Sequence, residues 1–461
     1  MISKIIPNGS SNLKKYIFHE YEKIDELLLK SIFGEAEGSK LIRLLESKLD
    51  EVGEDFTVTM QSDDEVDEDS NYWIKHCPTG RALQFTGYVG IVPIEHGLCF
   101  EILPKVELSE SDDNECQRKI LFEMICALLE EIRHISVGEE SFQFSEHTPL
   151  FEHLISLFLK DVRRLVNYGL ARYYVQVEEE DTYVKGKILF SEQIKRNMGR
   201  DDRFYTSHDE FLLDRLENRI IKAALLTVSK YTESSTHLRL INELLQSFST
   251  VSSEVHLNDL KLISKDREMK HYDRALAWAH LILKNMSPQF CKLQQHLLKT
   301  PCLLFPMHKL FEVFVFKQLK KKYGVELNFK KQDNSKHLFV SSELNSFQGS
   351  KIKNPPLRPD IVVESKGRVV AVMDTKWKKL SMPDVKFAVS DLYQMYAYGK
   401  KYFSDSGTIF MIYPKNKEFN KCLGPLIFEK SPELTLYIVP FDFEKNDLVL
   451  GGKGLKELIS I

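Results

Sequence analysis

Long apolar runs are missing from this sequence of 461 residues. No segment approaches the roughly eighteen unbroken apolar residues that crossing a bilayer requires, and the first ten residues hold only Lys4 and the short run Ile5 to Pro7. The expectation is a chain that neither spans a membrane nor is secreted. Cysteine is sparse: Cys77, Cys99, Cys116, Cys126, Cys291, Cys302 and Cys422 are odd in number, scattered, and never in CxxC spacing. This points to a reducing cytoplasm and argues against structural zinc, and His76 beside Cys77, lacking a second pair, reads as an ordinary loop. A phosphate-binding loop is also absent. Residues 34–40 lack the GxxxxGK[ST] spacing, and no matching glycine precedes Gly451-Gly452-Lys453, so the chain is not expected to bind a nucleotide triphosphate itself.

What is present is ample core material, with 43% hydrophobic and 28% charged residues, enough for two or three separate cores. The formal net charge of −4 conceals a division. Residues 301–461 carry 26 Lys and Arg against 17 Asp and Glu, a net of +9, whereas residues 1–300 carry 37 against 50, a net of −13. A basic rear on an acidic front suits a polyanion at one end and a protein partner at the other.

The patterning divides the chain into three. Residues 13–50 show three- and four-residue apolar spacing and read as helix, and the acidic run 63–69, with almost nothing to bury, reads as a mobile loop. Short strands follow at 84–92 and 98–103. Helical spacing returns over 115–175 and 211–297, with a break near 247–253. After Pro301 the order becomes helix (307–322), strands (325–329, 360–363 and 369–376), helix (383–402) and strand (408–413), with a long polar loop over 330–356 suited to substrate contact. The fold expected is multidomain α+β: a small β-rich module at 1–110, a helical middle at 111–300 and an α/β domain at 301–461.

The chemistry lies in that last part. Arg358-Pro359-Asp360 opens one strand, a turn at Gly367 follows, and the next strand ends in Asp374-Thr375-Lys376. Alternate strand residues share a face, so Val370, Val372, Asp374 and Lys376 point one way and Thr375 the other. A DxK ending alone is a common surface feature; a preceding PD on a neighbouring strand makes it more specific. Phosphodiester cleavage needs a hard cation held by carboxylate oxygens, for which Asp360 and Asp374 are the candidates, with Lys376 to orient water or neutralise developing charge. Glu312, on the helix at 307–322, is a candidate third carboxylate. Gln394 and Tyr398, four apart on one helical face, are candidates to grip the substrate backbone.

This arrangement resembles the PD-(D/E)xK nuclease fold, including the QxxxY element of its RecB-like branch. Together with Gly87-Tyr88-Val89-Gly90, Ile102-Leu103-Pro104-Lys105, Lys185-Gly186-Lys187, Tyr205, the stretch 209–222 with Asp214, Asn218 and Lys222, Leu310-Phe311-Glu312, the segment 374–378 ending in Lys378, and Tyr413-Pro414, it is similar to the McrC nuclease subunit of McrBC-type, 5-methylcytosine-specific restriction systems. The resemblance runs in order from about residue 80 to 415. It implies a restriction-endonuclease-like domain, Mg2+ as cofactor, DNA as substrate, and a cytoplasmic role in anti-phage defence. It further implies a partner, an McrB-like AAA+ GTPase hexamer that binds the GTP, docked against residues 80–110. Asp360, Asp374 and Glu312 are then the metal ligands, Lys376 the water-polarising group, Gln394 a catalytic and DNA-facing residue, and Tyr398 and Lys378 DNA contacts. Two alternatives stay open: a stand-alone RecB-like repair nuclease, and a non-catalytic subunit that binds DNA and stimulates the GTPase.

Overall fold

Residues Lys14–His19 form a strand, β1, where helical spacing was expected. The reason lies in the packing: Tyr16 and Phe18 enter one hydrophobic core and Ile17 another. With both faces buried, the segment reads as a continuous apolar run and conceals its two-residue period. The computed structural model describes residues 14–51, 73–77, 82–95, 98–107, 114–133, 150–200, 202–256, 259, 267–286, 303–339, 356–382, 387–404 and 406–459. The acidic run 63–69 lies outside them.

The front continues with β2 (Lys23–Ile24), helices α1 (Glu26–Phe33) and α2 (Glu35–Glu51), then β3 (Ile74–His76), β4 (Leu83–Phe85), β5 (Tyr88–Glu95) and β6 (Leu98–Leu103). Helical spacing therefore begins at α1, which Asp25 caps by accepting the Leu28 N–H at 2.7 Å. β1 runs parallel to β6, β6 antiparallel to β5, and the far edge of β5 pairs with β10 (Leu303–Pro306). Gly90 makes that last pairing possible. At its φ of +133° an added Cβ would lie 1.9 Å from the Leu303 carbonyl oxygen, a contact no side chain tolerates.

The middle holds α3 (Asn114–Arg133), α4 (Leu150–Tyr168), β7 (Tyr173–Asp181), β8 (Lys187–Ile188), α5 (Phe190–Asn197), β9 (Phe204–Leu212), α6 (Leu216–Ser229), α7 (Ser235–Ser247) and α8 (Asp273–Met286). It is not helical throughout: β7, β9 and β8 form a sheet of their own in that order. With α5 this sheet makes an arm, and Phe211, expected at the start of a helix, belongs to its strand β9. Asn218 holds the base of the arm, its amide donating to the carbonyls of Ala171 (3.0 Å) and Leu213 (2.7 Å) while its oxygen accepts from the Tyr272 hydroxyl.

The rear runs from β10 straight into α9 (Met307–Tyr323), then β11 (Asn328–Lys331), β12 (Lys336–His337), β13 (Pro356–Leu357), β14 (Ile361–Ser365), β15 (Arg368–Thr375), α10 (Val389–Tyr402), β16 (Gly407–Pro414), β17 (Leu423–Phe428), β18 (Ser431–Asp442), β19 (Asp447–Leu448) and α11 (Leu455–Leu458). The expected helix at 383–402 begins only at Val389, and residues 383–386 lie outside the described set. The sheet order is β11-β14-β15-β16-β18-β17, with β19 on β18; β15, β16 and β18 are parallel. One face is covered by α9 through Leu310, Phe311 and Phe314, the other by α10 through Met395, Tyr398 and Tyr402. The mixed α/β, three-layered rear is thus joined to the front through β10, and α3 packs on α9 while its Arg118 makes a buried bidentate pair with Glu101 of β6. Among the described residues no helix is long and apolar enough to cross a membrane.

Candidate active site

The register of one hairpin brings the two aspartates together. Ser365 pairs with Arg368 across a two-residue loop, Lys366-Gly367, in which both residues have positive φ (49° and 79°), the turn that matches the twist of antiparallel strands. Farther along, Ile361 pairs with Met373, so Asp360 and Asp374 occupy the next facing positions. Asp374 continues into the parallel pairing with β16, opposite Met411.

One oxygen of each carboxylate has close polar neighbours. Asp360 Oδ2 accepts from the Thr375 backbone N–H and from its hydroxyl, each at 2.6 Å. Asp374 is 2% exposed, and its Oδ2 lies 2.8 Å from Lys376 Nζ without a hydrogen bond in good line. Burial, and then the charge of Glu312, push the Asp360 carboxyl up to about 7; burial, and then Asp360, do the same to Asp374. Two carboxylates raised by burial and by a neighbouring acid in a dry site make a donor set suited to a hard divalent cation, which would favour both anions at once.

Lys376 is held from three directions. Its Nζ is 2.8 Å from Asp374, donates to Gln394 Oε1 at 3.0 Å, and lies 3.8 Å from Asp391. Burial disfavours its ammonium, but these carboxylates outweigh that and the net shift is upward. Gln394 Nε2 donates to the Tyr398 hydroxyl at 2.8 Å, which in turn donates to the Arg358 carbonyl at 3.0 Å. The pair expected to grip DNA is therefore turned inward: Tyr398 is 2% exposed, and the chain of bonds runs from the lysine to the backbone just before Asp360. Lys378, in contrast, is exposed, with its Nζ 3.1 Å from Asp391.

Glu312 stands further back. Its Oε1 accepts from Gln332 Nε2 at 2.9 Å and lies 3.3 Å from Lys331 Nζ. The three carboxylates Glu312, Asp360 and Asp374 do not all approach within 4.8 Å of one another; among the described residues the group that does is Glu179, His208 and Glu210 on the arm, where the Lys185 ammonium already lies 3.1 Å from Glu179. Sequence reasoning missed Thr375, Gln332 and Asp391. Thr375 was set aside because it alternates to the other face, yet its hydroxyl reaches Asp360. Gln332, whose N–H donates to the Asp360 carbonyl, lies in what was taken for a loop. Asp391 lies one turn before Gln394 on the same helix, a spacing that was available to sequence reasoning.

The family model described as McrBC 5-methylcytosine restriction system component matches residues 83–414. The chain belongs to this family. No curated protein matches it significantly. A chain in the refined half-complex from the tetradecameric assembly of Thermococcus gammatolerans McrB AAA+ hexamers with bound McrC is similar at 20% identity and a TM-score of 0.64, covering 95% of this chain and 97% of that one. A chain in the cryo-EM structure of the Thermococcus gammatolerans McrBC complex is 19% identical, covering 65% of this chain and 85% of that one, with a TM-score of 0.43. At these identities the first likeness speaks for the fold. The McrBC family match begins within β4 and ends at the close of β16, so it takes in every candidate site residue. It also takes in Asp214, Asn218 and Lys222, which bond within the helical middle and not at the site: Asp214 accepts two bonds from Arg219 and one from the Ser252 N–H, and Lys222 donates to the Val251 carbonyl.

Proposed function

We propose that this restriction-system subunit is the DNA-cutting one, a PD-(D/E)xK endonuclease that hydrolyses phosphodiesters with Mg2+ when assembled with an AAA+ GTPase partner that binds the GTP. The observation that carries the reading is the convergence of Asp360, Asp374 and Lys376 through one hairpin register. Asp360 and Asp374 would hold the metal, Asp360 with Oδ2 fixed by Thr375. A bound Mg2+ supplies a more acidic water and a positive charge against the phosphate oxygens. Lys376 places an ammonium beside the same carboxylates, suited to orienting the attacking water and balancing charge as the phosphorane develops. Gln394 and Tyr398 keep that ammonium in line and tie it to the Asp360 strand. Glu312, held by Gln332 and Lys331, adds negative field behind Asp360, and the exposed Lys378 meets the DNA phosphates.

Lys376→Ala is expected to lower turnover about 100-fold, the scale of losing one preorganised charge-stabilising donor. It should retain Mg2+ binding at pH 8 by calorimetry, because an ammonium is no metal ligand. Loss of metal binding in this variant would make the lysine's role structural.

The partner reading gains its own support from the arm. Where described, residues 80–110 are mostly buried in the front sheet's two cores, with Val89, Phe100, Ile102 and Leu103 at 0% exposure. On α5 Phe190 (70%) and Ile194 (57%), and at its C-cap Met198 (80%), are exposed at four-residue spacing, one apolar stripe on a unit whose substantial packing is with itself. This stripe is the better docking surface for the GTPase. Replacing all three by serine should cut stimulation of the partner's GTP hydrolysis at least tenfold, the scale of losing a clustered apolar anchor, with Mg2+ binding unchanged. Unaltered stimulation would return the docking site to the front module.

The deciding experiment incubates the purified chain with plasmid DNA and Mg2+, with and without the GTPase and GTP. Cleavage that needs both is expected. Cleavage by the chain alone favours a stand-alone repair nuclease, and stimulation of GTPase without any cleavage favours the non-catalytic subunit.

A further inference from the structure

Trp377 directly follows Lys376, and it reaches across the molecule. Its indole N–H lies 2.9 and 2.8 Å from the two carboxylate oxygens of Glu20, a residue 357 positions away, directly after β1, and 1% exposed. Glu20 is itself pinned. Its Oε1 accepts from the Lys105 N–H at 2.9 Å and its own N–H donates to the Leu103 carbonyl at 3.0 Å. The indole ring packs edge-on against Phe311 at 5.1 Å, next to Glu312 on α9, and against Phe443 at 6.2 Å. A second tie lies close by: Glu107 accepts from Lys379 Nζ at 2.6 Å and from the Lys417 N–H at 3.1 Å.

A buried indole needs only one acceptor, and a main-chain carbonyl would serve. A carboxylate in this position costs desolvation, which pushes Glu20 up to about 7, and offsets it with charge-assisted bonds from two donors fixed in different parts of the chain. The front sheet also delivers β10 straight into α9, with Met307 N–H bonded to the Gly87 carbonyl. The same sheet thus fixes both the helix that carries Glu312 and the end of the strand that carries Asp374 and Lys376.

We propose that Glu20 and Trp377 are positioning residues for the metal-dependent reaction: their bond anchors the end of the Asp374–Lys376 strand to the front module and keeps the metal-binding carboxylates in register. This rests on the reading of Asp360 and Asp374 as metal ligands. Neither residue touches substrate, and each acts through the strand end. Any displacement of the front sheet, as when a partner docks, would reach the site along this bond.

The test uses the full chain with its GTPase partner and four variants: Trp377→Phe, which keeps a ring on Phe311 but removes the donor; Glu20→Ala; Glu20→Gln, which keeps an acceptor; and the Trp377→Phe/Glu20→Ala pair. Mg2+ affinity is read by calorimetry, and kcat and KM for DNA by cleavage. Trp377→Phe and Glu20→Ala should each weaken Mg2+ binding and lower kcat about tenfold, the lower end of what outer-shell partners contribute, with KM for DNA unchanged. The double variant should be no worse than either single one, because both remove the same bond, and Glu20→Gln should lie near the parent. Folded single variants with parental Mg2+ affinity and kcat overturn the proposal, as do losses that multiply in the double variant. If Glu20→Ala does not fold, Trp377→Phe and Glu20→Gln decide by the same criteria. A parent that binds Mg2+ but cuts no DNA sinks the cleavage reading and leaves the link to be judged by calorimetry. A parent that binds no Mg2+ overturns both.

Discussion

Replacing Asp374 by alanine is expected to abolish DNA cleavage, by about a thousandfold or more, while the protein stays folded and still engages the proposed GTPase partner. The side chain is 2% exposed and lies between Lys376 and the facing Asp360, so in the proposed mechanism it would serve as a metal ligand and as the counter-charge of the lysine. Losing it forfeits several kcal/mol of metal-derived transition-state stabilisation, and roughly 1.4 kcal/mol is a factor of ten in rate. The fold should not suffer. Val372, Met373, Ile409 and Met411 around it remain buried, and removing one of two mutually repelling buried carboxylates relieves a desolvation cost. Plasmid cleavage with Mg2+, partner and GTP checks the first half, and a thermal melt without metal the second, where the variant should melt no lower than the parent. Cutting at the parental rate would remove Asp374 from the mechanism.

How much of this the sequence revealed follows from the range of each interaction. The Asp360–Asp374 hairpin was legible because both strands are short β-branched apolar runs next to charged residues and Gly367 marks the turn between them, all within fifteen residues. The shared face of Gln394 and Tyr398 was legible from their spacing, but not the direction that face points. That direction is set by neighbours from elsewhere, since Gly399 lets α10 approach Ile409 and Leu434 so closely that a Cβ would lie 2.8 and 2.7 Å from them. The strand β1 was missed because its partner β6 lies 84 residues on and both its faces are buried. The arm was missed for the opposite reason: β7 buries no residue on either face, so its acidic stretch 178–181 carries little apolar pattern. The boundary drawn at residue 300 fell one step before β10, whose pairing with β5 no local pattern announces. A fragment ending there would lose an edge strand of the front sheet and the packing of α9 on α3.

The acid pair also makes stability itself a readout of the site. Asp360 and Asp374, both raised to about 7, keep protons in the folded metal-free protein that the unfolded chain has released by about pH 5. The folded state therefore binds more protons, and stability must fall as pH rises through about 7. Raising one such carboxyl from its ordinary value to about 7 corresponds to about 4 kcal/mol, and because the charge of Asp360 is itself among the causes that raise Asp374 the two contributions are not summed. His19, raised with net help from Glu22 and Gln117 against burial, acts in the same sense; His308, lowered to about 4 by burial, acts in the opposite one, losing its contribution below its ordinary range. Comparing the parent with Asp374→Asn cancels both. In EDTA the parent should melt progressively lower than the variant between pH 5 and 7 and then level off. Mg2+ should reverse the trend in the parent alone, with a larger rise in melting temperature at pH 8 than at pH 6, since the cation competes with the protons for the same oxygens. Parallel melting curves for parent and variant across that range, with Mg2+ raising both equally, would mean that Asp374 neither keeps a proton on folding nor holds the metal.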